Sequence, residues 1–174
     1  FSFPVSQPGY YHFGITGWQP ATDKMKVATR EIISKLENVL DISFVEVNEP
    51  NANNVITIGQ SLQVTSSGLS YYPNSYYEIG MDVFISTKSA NPGFIGNGRT
   101  NYDYEVLLHE IGHALGLKHP FEASGTNNVI LSTYEDNTHN TAMSYTENSA
   151  TFDGTSRPFD WMALTKFYGV NSTY

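Results

Sequence analysis

His109-Glu110-Ile111-Gly112-His113-Ala114-Leu115-Gly116-Leu117-Lys118-His119-Pro120 is the stretch on which the rest of the chain turns. Read as a helix, His109 and His113 fall about one turn apart on one face, because a turn takes about 3.6 residues. Two imidazoles so placed can reach one metal ion. Glu110 is rotated by about 100° round the axis. It therefore borders the ion without having to bind it, where a general base for water should stand. A continued helix would carry His119 about 240° round from His113 and about 9 Å further along, out of reach. Gly116 removes the difficulty, because glycine takes the left-handed conformation that ends helices and turns the chain back. Pro120 stops the helix from resuming, and His119 can swing under it. Three neutral imidazoles with water in a fourth position form a catalytic zinc arrangement, not a closed structural one. Five letters at set offsets, each at a few per cent of average composition, recur by chance on the order of 10⁻⁷ per start position. Unrelated helix histidines are thus a poor competing reading.

The pattern H-E-x-x-H-x-x-G-x-x-H resembles that of the metzincin zinc endopeptidases, in which a methionine-bearing turn follows. Thr141-Ala142-Met143-Ser144-Tyr145 supplies such a turn. Met-Ser-Tyr resembles the serralysin and astacin branches, and Ser132 to Thr138 resembles the serralysin segment before the turn. The chain has no cysteine, which argues against the disulfide-bearing astacins. The resemblance, which covers most of the chain, is to a serralysin-like catalytic domain. It implies an α+β fold with an α/β-like upper half: a twisted, mixed, mostly parallel five-stranded sheet with an antiparallel edge strand, two long helices and a C-terminal helix. It also implies that Tyr145 is an extra zinc ligand at rest and an oxyanion donor in catalysis, and that Met143 floors the site without ligating. Asp160 is implied to bond the Met-turn backbone. Protein or peptide substrates follow, with a pro-segment or a proteinaceous inhibitor as further partners, and secretion from a bacterial cell.

The bulk composition agrees. At 174 residues, with 40% hydrophobic and 15% charged, one globular domain is expected, spanning 1–174. A net charge of −8 with no basic run excludes nucleic acid, since phosphate binding needs clustered Lys and Arg. No apolar run approaches a membrane span, and a monomer is expected. Calcium is a second candidate cation. The chain opens at Phe1 and shows no signal peptide, so a processed form or an expressed piece is expected. The G-G-x-G-x-D repeat is absent. Serralysins usually carry a β-roll of such repeats after this point, so either the chain is cut before it or this is a minimal variant.

Along the chain, residues 1–9 read as an extended arm, because Pro4, Pro8 and Gly9 forbid a helix. Tyr10 to Ile15 is a plausible strand, in which His12 reads as structural. Ala21 to Leu40 is a helix with Met25, Ala28, Ile32, Leu36 and Val39 on one stripe and Thr22 or Gln19 as cap. Ser43–Val47, Asn54–Gly59 and Met81–Ser86 read as strands. Asp82 is read as solvated or as a calcium ligand. Gly68 to Pro73 suits a sheet edge. By resemblance it lines the cleft, so Leu69, Ser70, Tyr71 and Tyr72 are candidate substrate-binding residues, to which an extended peptide adds by main-chain bonds. The loop Asn91 to Gly98 lacks a phosphate-binding pattern. Thr100 or Asn101 starts a zinc helix over 100–116. Glu122, Glu135 and Asp136 read as solvated charge, with calcium ligation the lesser reading. His139 could line the cleft. Asn148 to Arg157 forms, by resemblance, the outer wall of the pocket beyond the scissile bond. Pro158 to Gly169 is a closing helix with Trp161, Leu164 and Tyr168 at helical spacing. The expected chemistry is peptide hydrolysis by an activated water, with His109, His113 and His119 on zinc and Glu110 as base. A zinc hydrolase of a non-protein amide, or a zinc-holding binding module without catalysis, stays open.

Overall fold

The computed structural model describes residues 1–11, 14–48, 54–88, 102–125, 127–147 and 155–172. His12, the caps at Thr100 and Asn101, the Asn91–Gly98 loop and the 148–154 part of the expected pocket wall lie outside the described residues.

Helix α1 runs from Asp23 to Val39 and starts where expected: Met25 N donates to the Thr22 side chain at 3.2 Å. Its stripe is buried through Met25, Ala28, Ile32 and Leu36, widened by Thr29 and Ile33. Val39 is only half-buried. The strands are β1 (Gln19–Pro20), β2 (Ile58–Ser61), β3 (Gly68–Ser70) and β4 (Val83–Ser86). Their order is β1-β2-β4-β3, so β3 is an edge. Helix α2 is Tyr102–Ala114 and α3 is Pro158–Tyr168.

Strand β4 is central and buried on both faces, which is why Val83-Phe84-Ile85 is a continuous apolar run. Alternation sends Val83 and Ile85 into the main core with α1 and α2, and Phe84 to the far face with Tyr11 and Ile15. In the main core, Met25, Ile58, Leu107 and Val83 are fully buried and Ile32 and Ile111 nearly so. Each such side chain contributes roughly 1.5–3 kcal/mol. This packing fixes α2 against β3 and β4, and so fixes the histidines.

The sheet departs from expectation. Four strands are present among the described residues where five were expected. Of their three pairings only β2 with β4 is parallel; β1–β2 and β3–β4 are antiparallel. The reason lies in the arm. Phe1 N donates to Val45 O at 2.7 Å and Val47 N to Phe1 O at 2.8 Å, while Ser2 N donates to Ile56 O and Ile58 N to Ser2 O. The arm is extended as expected, yet it is buried between the 45–47 and 56–58 segments and separates them. Ser43–Val47 therefore makes only an isolated parallel bridge, Val47 with Ser2. Tyr10–Tyr11 is a turn rather than a strand, with Tyr11 N bonded to Pro8 O.

Asp82 is fully buried rather than solvated. The Tyr10 and Tyr11 hydroxyls donate to its Oδ2 at 3.0 and 2.5 Å. Burial pushes its carboxyl up to about 7.

Candidate metal centre and cleft

Helix α2 ends at Ala114, and the turn that follows behaves as the glycine demands. Gly116 has φ +96°, Gly116 N bonds His113 O, and Leu117 N reaches back to Gly112 O at 2.9 Å. That six-residue bond closes the helix end and brings His119 beneath it. His119 Nε2 then lies 3.2 Å from His109 Nε2 and 3.0 Å from His113 Nε2. A tetrahedral ion with Zn–N about 2.0–2.1 Å would hold its nitrogens about 3.3 Å apart, so the triad fits a single zinc. Among the described residues, these three form the group of metal-ligating side chains that converges.

The other ring nitrogens are all engaged, which leaves each Nε2 facing the common point. His109 Nδ1 is 2.8 Å from Ala142 O, His113 Nδ1 is 2.7 Å from Leu117 O, and His119 Nδ1 is 3.1 Å from a Glu122 carboxylate oxygen. Burial first, and the neighbouring imidazoles second, lower His109 to about 3. Burial likewise lowers His113 to about 4. Both rings are thus neutral near pH 7, the form that ligates.

Glu110 is buried beside them, and burial raises its carboxyl to about 8. It lies against the edge strand. A Cβ at Gly68 would come within 2.4 Å of Glu110 Oε1, so only glycine at 68 leaves room for this carboxyl. The Tyr145 hydroxyl is 2.9 Å from His119 Nε2, with its ring 67% exposed.

The Met-turn is held by α3. Thr141 Oγ1 donates to Asp160 Oδ1 at 2.6 Å and Ala142 N to Asp160 Oδ2 at 2.9 Å. The bond from Asp160 to the turn backbone is therefore present. Arg157 N also donates to Asp160, and Pro158 occupies the first turn of α3. Ala142, whose carbonyl meets His109, is thereby fixed. Met143 is buried against Gly112, where a Cβ would sit 2.7 Å from the Met143 sulfur.

The four candidate substrate residues divide by parity. Ser70, opposite Val83, and Tyr72 share with Gly68 the face toward α2, and the Tyr72 ring packs edge-on to His113 at 5.4 Å. Leu69 and Tyr71 pack on the far face around Phe84, and Tyr71 N donates to Asp82 O while Tyr71 O accepts from Met81 N. Beside Glu110 opens a cavity of about 360 Å³ lined by Gly68, Tyr102, Val106, His109, Tyr145 and Arg157, among others. Arg157 is tied to Glu105 at 3.3 Å and to Thr138 O at 3.0 Å.

Three residues of the site were not found by sequence reasoning. Gly68 and Gly112 act by having no side chain, which leaves no local signal. Glu122, read as solvated charge, sits on His119; its place three residues after the last histidine, in a turn opened by Pro120, was the available clue. Glu135 accepts from Ser132 Oγ at 2.7 Å, and Asp136 accepts from Ser144 Oγ at 2.5 Å. His139 lies outside the triad.

Among the described residues no helix is long and apolar enough to cross a membrane. The metallopeptidase family M12B, reprolysin-like, matches residues 82–158, which holds the zinc-type motif and the Met-turn. The chain is 27% identical to the serralysin of Proteus mirabilis over 99% of its own length and 40% of that protein. It is 28% identical to the serralysin of a Photorhabdus species, over 99% and 38% respectively. Serralysin C of Dickeya chrysanthemi matches at 31% over 60% of this chain and 23% of that protein. The chain thus spans about two fifths of the length of the curated relatives it matches end to end. The converging histidines lie in the stretch that matches the reprolysin-like metallopeptidases, and along nearly its whole length the chain is similar to serralysins.

Proposed function

We propose that the chain is a single zinc-dependent endopeptidase domain that hydrolyses internal peptide bonds, with Glu110 as general base. The observation that carries this reading is the meeting of three Nε2 atoms beside a buried carboxyl under a sheet edge. Zinc held by His109, His113 and His119 would polarise the substrate carbonyl and make water acidic enough to attack near neutral pH. Beside zinc, the Glu110 carboxyl is favoured in its ionised form over the acid form that burial favours; as the carboxylate, a Glu110 oxygen takes the proton from the attacking water and passes it to the leaving amine nitrogen. The Tyr145 hydroxyl supplements the histidines at rest. It then swings away to donate to the carbonyl oxygen as negative charge develops there.

Substrate adds along the outer side of β3 by main-chain hydrogen bonds from Gly68 and Ser70, since those of Leu69 and Tyr71 turn toward β4, with the Tyr72 ring beside it. Backbone pairing tolerates many sequences, so selectivity falls to the cavity beside Glu110, which takes the side chain just past the scissile bond. The same reading has the domain act as a monomer outside a bacterial cell.

Hydrolysis of casein by purified protein tests the assignment. Cleavage should vanish on treatment with a zinc chelator and return with added zinc. Bound zinc with no cleavage of casein would instead support a hydrolase of a non-protein amide or an idle binding module.

A further inference from the structure

The three histidines are not oriented alike. Two of them, on α2, direct Nδ1 at backbone carbonyls, those of Ala142 and Leu117. His119 alone has a side chain behind it, the Glu122 carboxylate at 3.1 Å. The turn between them is built to hold that pair. Lys118 Nζ donates to His119 O at 3.1 Å and to Glu122 O at 2.6 Å. Phe121 lies flat on the imidazole, 5.0 Å between centroids and 9° between planes.

We infer that Glu122 is a positioning residue that holds His119 as the Nδ1–H tautomer, aims Nε2 at the shared ion, and raises the affinity of the site for zinc. A carboxylate accepting from the far nitrogen of a ligating imidazole fixes its tautomer and makes it a better donor to the metal. His119 needs this most, because it has left the helix and no regular backbone faces its Nδ1. The side chain of Glu122 is 58% exposed and its carboxylate bonds to His119, so fold stability does not explain its placement. The inference rests on the triad holding zinc.

The test compares zinc affinity of wild type, Glu122→Gln, Glu122→Ala and the distant surface variant Glu78→Gln, by competition with a chelator of known affinity. Glu122→Ala should bind zinc about 10–100-fold more weakly. Glu122→Gln should fall between, since an amide oxygen still accepts a hydrogen bond but carries no charge. Glu78→Gln should match wild type. In zinc-loaded protein labelled with ¹⁵N-histidine, the His119 Nδ1–H proton should be protected from exchange in wild type and exchange freely in Glu122→Ala. A purely structural contribution would not move that resonance selectively. Equal zinc affinity in wild type and Glu122→Ala overturns the inference and leaves the triad standing. A wild type that binds no zinc overturns the triad, and the role of Glu122 with it.

Discussion

The site has two halves built on different principles. The helical half, His109, Glu110 and His113, stands on α2, whose Leu107, Ile111 and Ala114 are packed in the core. Its ring orientations come from backbone carbonyls, which no side-chain substitution removes. The loop half, His119 and Tyr145, stands on turns and is oriented by side chains: Glu122, Phe121 and Lys118 on one, Asp160 beneath the other. The helical half sets where an ion and a base must lie. The loop half brings His119 Nε2 and the Tyr145 hydroxyl to the same point, and the Tyr145 ring is largely exposed. Rigidity sits where placement within a fraction of an ångström governs rate, and adaptability where a ligand must be exchanged.

Substitutions in each half separate these roles. The largest effect belongs to Glu110→Ala, which should keep zinc and lose about 10³-fold or more in kcat; casein hydrolysis near the wild-type rate would remove the base from the helical half. Gly68→Ala should follow, at about 10²-fold in kcat/KM, because the new methyl group must displace the Glu110 carboxyl. Unchanged kinetics would mean that the edge strand yields easily and that Glu110 is less tightly placed than the comparison holds. In the loop half, Tyr145→Phe should lower kcat by about 10²-fold while zinc content and thermal midpoint stay put. Wild-type turnover would leave Tyr145 outside the chemistry. Gly112→Ala forces a methyl against the Met143 sulfur at the seam between the halves, and should cost about 1–3 kcal/mol by overpacking, read from denaturant unfolding of the zinc-loaded protein.

The smallest effect lies outside both halves. The Asp82 carboxyl is raised to about 7 by burial, against about 3.9 in the unfolded chain. Its protonated form is therefore favoured by folding. That contribution is fully present below about pH 4 and is lost as pH rises toward and through about 7. Asp82→Asn, which still accepts from Tyr10 and Tyr11, should flatten the fall in stability across that window. An unaltered slope would assign the pH dependence to other groups.

The difference between the halves also sorts what the chain reveals before folding. The helical half was legible because its signal is local: residues four apart share a face, and a glycine three places on ends the helix. Asp160 was reachable only through resemblance. The partner of Glu122 was not legible, because it depends on how the turn after Pro120 returns upon His119. The steric roles of Gly68 and Gly112 arise where separate elements cross. Alternation along β3 implies that Leu69 and Tyr71 face away from Gly68 and Tyr72, yet does not say which pair meets the cleft. The arm read correctly as extended, but two prolines hid that Phe1 and Ser2 lie between two strand-like segments and change the sheet around them.

Zinc content of purified wild type and His119→Ala, measured by elemental analysis after exhaustive dialysis, tests most directly whether the two halves meet on one ion. Equimolar zinc in the wild type and marked loss in the variant is the expected result. Full occupancy in His119→Ala would show that the helical half holds the metal without the loop, and would contradict the three-histidine site.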